Sequence, residues 1–334
     1  MKKLVFWVVV AVVSGVISGG CSGTGHEGAG LLSSSGRSSE VLIVCNDNQW
    51  KGTLGDSLQA ILMQSVSGLP QDEPLFTLTR VSENYFKDAY KKQRNIIHFI
   101  TDSSVDEPKV TVNHNTWAKP QLLVRIQAKN GQQAAETLSK YQKTIIKHLF
   151  SSEMKRFQRA QRSKQNFHSS SEIKRLFNFS IIIPDGFIFA VKNSNFVWLR
   201  KDTKDWTQNL MIYTEPYTDT NQFKNEYIVN LRNTHTKEYV FGSTDGSYTV
   251  VDEKYIPTVS EFFEFETGYT VRTAGLWKTV KDFMGGPFVS MSVLDVENNR
   301  IITLDGFLYA PTDNKRDFLR QLESVLLSIK FEEK

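Results

Sequence analysis

Cysteine is scarce in this chain, since Cys21 and Cys45 are the only two among 334 residues. Small secreted domains that are held together by disulfides carry several pairs, so a disulfide framework is excluded. The chain also lacks a strong charge of one sign, because 40 basic residues stand against 36 acidic ones. This balance favours no class of partner.

Sequence signatures of common catalytic sites are missing too. The chain has no HExxH, CxxC, GxSxG or GxxxxGK[ST] motif, and these mark zinc peptidases, dithiol sites, serine hydrolases and P-loop enzymes. Its histidines, at positions 26, 98, 114, 148, 168 and 235, never fall at metal-ligand spacing. The sequence therefore predicts no metal site and no cofactor.

No apolar run is long enough to span a membrane. Residues 4–13 are ten consecutive apolar residues, whereas a transmembrane helix needs about 20. Lys2 and Lys3 precede this run, and small residues up to Gly20 follow it. A charged start, an apolar centre and a small-residue end predict a secretory signal peptide over residues 1–20.

Cys21 follows the signal directly, in the sequence SGVISGGCSG. The stretch resembles the lipobox of bacterial lipoproteins, in which the cysteine is lipidated and becomes the mature N-terminus. Ser18 stands where most lipoboxes have leucine, a looser form that resembles the signals of Bacteroidota lipoproteins. The resemblance implies that Cys21 anchors the protein to the outer membrane, facing the periplasm. The alternative is a buried or disulfide-bonded Cys21 after an ordinary signal.

Residues 21–39 have the composition of a flexible tether. Eleven of the eighteen residues from 22 to 39 are Gly or Ser, and such a segment has an r.m.s. reach of about 24 Å. The stretch GTGHEG, which begins at Gly23, matches GxGxxG. A dinucleotide-binding loop needs a strand before it and a helix after it, so no nucleotide site is expected in a tether.

Residues 40–165 predict an α/β domain with a mixed sheet. The segments EVLIVC, LFTLTRV, NIIHFIT, KVTVNH and QLLVRIQA are typical of strands. GTLGDSLQAILMQSV predicts a helix, Ser82 is a candidate cap for a helix in ENYFKDAYKKQ, and a long helix runs from about 132 to 162. Strands that alternate with helices are typical of a partly parallel sheet.

Residues 166–334 predict an antiparallel-sheet α+β domain. TVSEFFEF with YTVRTAGLW, and FVSMSVLD with RIITLDGFLYA, predict two hairpins. Thr312 or Asp313 is the expected cap of a last helix. The fold class expected for the whole chain is thus α+β. The opening EIKRLFNFSIIIPDGF resembles that of PsbP-like domains.

Six segments carry a family resemblance: EVLIVCNDNQWKGTLGDSL, NTWAKPQLLVRI, NFVWL, EPYTD, GLWKTVKDFMGGPFVS and DGFLYAPTDNKRDFLRQLE. With them the chain resembles an uncharacterised family of Bacteroidota lipoproteins, the domain of unknown function 4837. The resemblance implies an envelope lipoprotein and supplies no reaction. It also places Cys45 where a small residue such as Gly is expected, which argues against a catalytic thiol.

Three stretches are candidate binding sites. Asn46, Asp47 and Trp50 follow the first strand, and ligands of α/β sheets usually bind beyond the carboxyl ends of strands. The alternative is a turn, with Trp50 covering the sheet edge. Trp117 and Lys119 open a later strand, next to Pro120. Their alternative role is to pack between the two domains.

The third stretch is expected to join two strands. It contains Trp277, Asp282, Phe283, Gly285 and Gly286. A Gly-Gly-Pro loop that carries aromatic residues forms either the rim of a pocket or an aromatic plug of the core.

The long helix carries a basic cluster. Between 139 and 165 one acidic residue, Glu153, stands among eight basic ones: Lys140, Lys143, Lys147, Lys155, Arg156, Arg159, Arg162 and Lys164. A basic face of this kind contacts lipid phosphates or an acidic envelope polymer, or it is simply a solvated outer face.

These features predict a lipid-anchored cell-envelope protein that binds a protein or glycan partner without catalysis. The export signal excludes nucleic acid as a natural partner. The alternative is an envelope hydrolase that uses Asp47 or Asp282 as a carboxylate with a distant histidine. Nothing near Cys45 in the sequence lowers its thiol pKa, so this residue is expected to behave as a small buried hydrophobe.

Overall fold

The structure is a computed structural model that describes residues 30–265 and 268–331. The predicted signal peptide, the predicted lipidation site Cys21 and the first part of the predicted tether lie outside these residues. From Leu32 onward the chain forms one unit. Among the described residues, no helix is both long enough and apolar enough to cross a membrane.

A mixed five-stranded sheet organises the first half. The strands of this half are β1 (Leu32–Ser33), β2 (Glu40–Val44), β3 (Thr77–Val81), β4 (Asn95–Thr101), β5 (Lys109–His114), β6 (Ala118–Lys119) and β7 (Leu122–Ala128). Its helices are α1 (Asp47–Lys51), α2 (Thr53–Leu62) and α3 (Gly131–Arg162). The sheet order is β3-β2-β4-β7-β5, with β5 antiparallel and the other four parallel. The predicted mixed sheet is confirmed.

The two faces of this sheet are covered differently. Successive side chains of a strand point to opposite faces, so Ile43 packs beneath α2 and α3 while Val44 packs on the other face. The helix side forms the larger core, to which α3 contributes Leu138 and Leu149. Phe86 and the partly buried Trp117 cover the opposite face.

The second half is built on an antiparallel sheet. Its strands are β8 (Phe179–Ser180), β9 (Ile188–Lys192), β10 (Phe196–Asp202), β11 (Thr207–Pro216), β12 (Tyr248–Val251), β13 (Val259–Phe265), β14 (Gly268–Val280), β15 (Gly285–Asp295), β16 (Arg300–Tyr309) and β17 (Lys330–Phe331). Its helices are α4 (Phe167–Phe177), α5 (Asn225–Tyr239) and α6 (Arg316–Leu326). The sheet order is β12-β14-β15-β16-β11-β10-β9, and β13 pairs with the first part of β14. The α+β class and both predicted hairpins are confirmed, while the PsbP-like resemblance stays a prediction.

Helices cover both faces of the second sheet. Ile173 of α4 and Leu322 of α6 belong to the core on one face. On the other face, Leu231 and Tyr239 of α5 pack against an aromatic core that includes Trp277.

Two predicted helix positions are wrong. The segment after Ser82 forms two single-turn 3₁₀ helices, because Asp88 between them has a left-handed backbone conformation with φ 41°. The last helix begins at Arg316 and has no side-chain cap of its own. The N–H groups of Lys315 and Arg316 donate instead to the Glu73 carboxylate, at 2.6 and 3.1 Å. A carboxylate from the first half thus replaces the local cap that Thr312 or Asp313 was expected to provide.

The predicted tether is partly folded. Leu32 and Ser33 form β1 and pair with β6, and Ser39 is completely buried. The Ser39 N–H donates to Glu153 at 3.2 Å, and its hydroxyl donates to Asp317 at 3.0 Å. Residues 32–39 are therefore part of the fold, and a tether extends at most to residue 31. Composition missed this because small polar residues serve equally well in a linker and in a packed turn.

Hydrogen bonds join α6 to the first half. Gln158 and Gln161 of α3 donate to the carbonyl oxygens of Ser324 and Gln321, at 3.0 and 2.8 Å, and Arg320 donates to Leu75 O at 2.7 Å. The first sheet uses residues 40–128 and the second uses residues 188–309. The division into domains 40–165 and 166–334 stays a prediction.

Candidate functional site at the strand ends

The parallel strands of the first sheet bring three chain segments to one edge. The carboxyl ends of β2, β4 and β7 lie side by side, and they are followed or ended by Asn46, Thr101 and Asn130. A crevice of about 420 Å³ lies at this edge. We call it the strand-end crevice, and its lining includes Asn46, Asn48, Gln49, Thr53, Thr101, Lys129, Asn130 and Gln132. It is the position where α/β sheets usually bind ligands.

A network of amide side chains fixes the geometry of the crevice. Asn46 caps α1 by accepting from the Gln49 N–H, and Gln49 accepts from the Asn46 N–H, both at 2.9 Å. This reciprocal pattern is a capping box. The Gln49 side chain then donates to the Thr101 hydroxyl at 3.0 Å. The first turn of α1 is thereby tied to the end of β4.

Helix starts surround the crevice. Asn130 caps α3 by accepting from the Gln133 N–H at 2.9 Å. Gly52 precedes α2 and provides no side-chain cap. The next glycine, Gly55, allows α2 to follow α1 closely, because an added Cβ would lie 1.8 Å from the Trp50 carbonyl oxygen. The N–H groups at helix starts carry partial positive charge, which together with Lys129 gives this edge a positive character.

The structure brings only some of the predicted residues of this segment into the crevice. Asn46 lines it. Asp47 is mostly exposed and forms a 2.5 Å ion pair with Arg80 of β3. Trp50 is partly buried and packs against the core beneath α2 and α3. Trp50 therefore has the position expected from its alternative role, that of a cover for the sheet.

Cys45 lies directly before this edge and is 1% exposed, with a free thiol. Burial raises the pKa of the Cys45 thiol to about 11, against the opposing effect of the Arg80 guanidinium. A nucleophilic cysteine requires a lowered pKa and access to solvent. Cys45 is therefore a small core residue, as the sequence predicted.

Trp117 and Lys119 lie away from the strand-end crevice. Trp117 packs edge-on against Phe86, with ring centroids 5.5 Å apart, and the Arg125 guanidinium lies 5.5 Å from its ring. Lys119 is exposed, pairs with β1 and precedes a cis peptide bond to Pro120. Trp117 thus covers the outer face of the first sheet.

Most of the third candidate stretch belongs to strands rather than to a loop. Trp277 lies in β14, is 3% exposed and donates its indole N–H to Leu308 O at 3.2 Å. Gly285 and Gly286 open β15, and an added Cβ on Gly286 would lie 2.0 Å from that same Leu308 oxygen. The sequence left two roles open for this stretch, the rim of a pocket or an aromatic plug of the core. Trp277 has the second role. Loop prediction failed here because a Gly-Gly pair that allows close strand packing resembles a turn.

Asp282 and Phe283 occupy the short turn between β14 and β15. Phe283 is fully exposed. Asp282 accepts from the Ser243 N–H at 3.1 Å and from the Ser243 hydroxyl at 2.7 Å. Hydrogen bonds from Ser243 and from the Phe283 N–H hold the pKa of Asp282 below its usual range. Asp282 therefore stabilises the turn as a carboxylate and is poorly suited to act as a general base.

Sequence reasoning missed Thr101, Asn130 and Gln132 as partners of Asn46. The signal was present, because Thr101 and Asn130 come at or just after the ends of predicted strands. This signal could be used only with the strand order, which places β4 beside β2 and β7 beside β4. Among the described residues, no group of three or more His, Cys, Asp or Glu is arranged to hold a metal ion.

Comparison with solved structures finds distant similarity to known folds. A Ran-binding protein of Saccharomyces cerevisiae, Mog1p, is 7% identical, with a TM-score of 0.30 over 46% of this chain and 89% of that one. The human StarD13 lipid transfer and protein localization domain is 10% identical, with a TM-score of 0.22 over 48% of this chain and 91% of that one. Comparison with curated proteins finds no match.

Family models match both halves of the chain. Residues 34–162 match the model described as domain of unknown function DUF8532. Residues 166–328 match the model described as domain of unknown function DUF4837. The DUF4837 resemblance is thus carried by the second half, and the two segments quoted from the first half, EVLIVCNDNQWKGTLGDSL and NTWAKPQLLVRI, fall in the DUF8532 match instead. Residues 166–328 of this chain belong to the DUF4837 family.

Proposed function

We propose that this chain is a lipid-anchored cell-envelope protein that binds a protein or glycan partner at the strand-end crevice without transforming it chemically. The proposed anchor is Cys21, which follows the signal sequence directly. Two or three acyl chains hold a protein stably on a membrane, whereas one chain does so only marginally. The proposed location is the periplasmic face of the outer membrane.

The observation that carries the proposal is the polar character of the crevice. Asn46 and Asn130 use their side-chain oxygens to cap helices, and their amide nitrogens have no hydrogen-bond partner in the described part of the chain. Asn48 and Gln132 are exposed at the same edge. Amide groups both donate and accept hydrogen bonds, as the hydroxyls of a sugar and the main chain of a peptide require.

The residues of the crevice do not favour catalysis. A nucleophile needs a base within about 2.6–3.2 Å, and the described lining consists of amides, hydroxyls, apolar groups and Lys129. Asp47 and Asp282, the carboxylates of the alternative hydrolase, are bound to Arg80 and Ser243 respectively. These contacts support the binding role over the hydrolytic one.

The proposal is tested by crosslinking the full chain to its partners in native envelopes. The crevice variant, Asn48→Arg with Gln132→Arg, places bulk and charge in the crevice at exposed positions. The control variant, Asn230→Arg with Gln142→Arg, makes the same changes at exposed positions on α5 and α3. We expect the crevice variant to lose the crosslinked partner and the control to keep it. Equal capture by both variants would reject the crevice as the binding site.

The anchor has its own test. Cell fractionation compares the wild type with Cys21→Ala. We expect the wild type in the outer membrane and the variant released from it. A variant that stays equally bound to the membrane would reject lipidation at Cys21.

A further inference from the structure

A second and larger cleft lies between α3 and the turn that follows β5. Its volume is about 820 Å³, and one wall is formed by residues 144–159 of α3. The other wall contains His114, Asn115, Pro120 and Gln121. We call it the basic cleft. It is distinct from the strand-end crevice and has no residue in common with that site.

The lining of the basic cleft carries an uncompensated positive charge. Four cationic side chains line it, namely Lys147, Lys155, Arg156 and Arg159, and none of the described residues in its lining is acidic. Lys147, Lys155 and Arg159 have no ion pair within residues 30–265 and 268–331. Helices usually balance such charges with acidic residues one turn away. Here the repulsion between the cations remains, and a bound anion would relieve it.

Arg156 is a fixed and buried part of the cleft. Its side chain is only 9% exposed. It donates to Glu153 at 2.5 Å, to the Asn95 side chain at 2.8 Å and to Arg94 O at 2.6 Å. Its Nε is buried and has no partner in the described structure.

The carboxylate behind Arg156 does not neutralise the site. Glu153 is completely buried, and its carboxylate also pairs with Arg94, whose Nη1 lies 3.4 Å from Oε2. One carboxylate is therefore shared by two guanidinium groups, and a net positive charge remains at the floor of the cleft. The charge of Lys147, Lys155 and Arg159 adds to it.

Hydroxyl and imidazole groups complete the cleft. Thr144, Ser151 and Ser152 contribute hydroxyls, and His114 and His148 lie at opposite walls. Burial lowers the pKa of His148, and the nearby His114 and Lys147 add to the effect.

A cleft of about 490 Å³ against α6 has the opposite character, since Asp72, Glu73, Asp313 and Asp317 line it. Acidic side chains thus dominate the cleft against α6, whereas cationic side chains dominate the basic cleft.

We propose that the basic cleft binds a phosphate group. Arginine and lysine side chains pair with phosphate oxygens through charge-assisted hydrogen bonds, and serine and threonine hydroxyls donate to the remaining oxygens. The phosphate can belong to a soluble phosphorylated compound or to the headgroup of an anionic lipid. Both sources present the same chemistry to the cleft.

The experiment is calorimetric titration of the full chain in neutral detergent, with pyrophosphate as the probe. The cleft variant is Lys147→Gln, Lys155→Gln, Arg159→Gln, in which all three residues are exposed and unpaired in the described structure. The control variant, Lys140→Gln, Lys143→Gln, Arg162→Gln, removes the same charge from exposed positions of the same helix. None of the control residues lines the cleft.

We expect the cleft variant to bind the probe at least about tenfold more weakly, a change of about 1.4 kcal/mol in binding free energy, because three cationic hydrogen-bond donors to the phosphate are removed. The control should keep the wild-type affinity.

A second arm of the experiment compares dihexanoyl phosphatidylglycerol with zwitterionic dihexanoyl phosphatidylcholine. Binding of pyrophosphate alone identifies a soluble ligand, and cleft-dependent binding of phosphatidylglycerol alone identifies a headgroup. Equal losses in the cleft and control variants, or no binding of either probe by the wild type, would overturn the proposal.

Discussion

Arg232 of α5 and Asp305 of β16 form an ion pair in which both side chains are completely buried. The Arg232 Nε lies 2.8 Å from one carboxylate oxygen, and Nη2 lies 3.3 Å from the other. The guanidinium also lies 4.1 Å from the centre of the Phe288 ring. This pair joins α5 to the middle of the second sheet.

Removal of one partner of this pair should destabilise the protein strongly. Asp305→Asn leaves Arg232 as an uncompensated buried charge, which typically costs about 3–5 kcal/mol. The matched control is Asp202→Asn, because Asp202 pairs with Arg200 at the surface and exposed pairs contribute about 0–1 kcal/mol. Urea unfolding measures both variants. Similar free energies of unfolding for the two would show that Arg232 finds another partner.

Truncation should destabilise the protein strongly at Trp277 and hardly at all at Phe283, although both residues belong to the same predicted binding stretch. Trp277→Ala removes a core side chain and should cost about 3–5 kcal/mol. Phe283→Ala changes a fully exposed side chain and should stay within about 0.5 kcal/mol of the wild type. Thermal and urea unfolding test this expectation. A stable Trp277→Ala variant with lost partner capture would instead make Trp277 a binding residue.

The thiol of Cys45 should be inert in the folded protein. Burial raises its pKa to about 11, so at pH 8 the reactive thiolate is a minor species and is shielded from reagents. Titration with a thiol reagent should detect no fast-reacting group before unfolding. After unfolding, the lipidated chain should show one thiol, because the proposed anchor blocks Cys21. Two thiols in the unfolded membrane form would contradict lipidation, and rapid labelling of the native chain would contradict burial of Cys45.

Phosphate binding should change the titration of His148. In the free protein, burial together with His114 and Lys147 lowers the pKa of His148, while Lys155, Arg156 and Arg159 line the same cleft. A bound phosphate stabilises the protonated imidazole, so the pKa of His148 should rise when ligand is added. Proton NMR of the ring hydrogens measures it. His235 is partly buried in the second half and serves as the internal control. Parallel shifts of both histidines would contradict local binding.

Strands and hairpins were predictable because their signal is local. The apolar run of β2 and the alternation along β3 follow from side chains that face a core. The start of α6 was not predictable, because its capping carboxylate is Glu73, which is distant in the sequence. The burial of Ser39 was missed for the same reason, since its partners Glu153 and Asp317 come from α3 and α6.

The residues of the candidate sites likewise divide into those with a local sequence signal and those that depend on long-range contacts. Asn46 was found because it follows a strong strand signal, whereas Thr101 and Asn130 join it only once the strand order is known. The basic residues of α3 were visible in the sequence as a face. That Lys147, Lys155 and Arg159 line a cleft depends on the turn that contains Asn115 and Pro120, which packs opposite them.

The central claim is that this protein binds its partner and does not transform it. The most direct measurement places three variants side by side in native envelopes: the crevice variant, Asp47→Asn and Asp282→Asn. Partner capture and turnover of envelope substrates are then recorded for each. We predict that capture is lost only in the crevice variant and that both carboxylate variants behave as the wild type. A substrate whose turnover falls by about 10²–10⁴ in a carboxylate variant, with capture retained, would contradict the account.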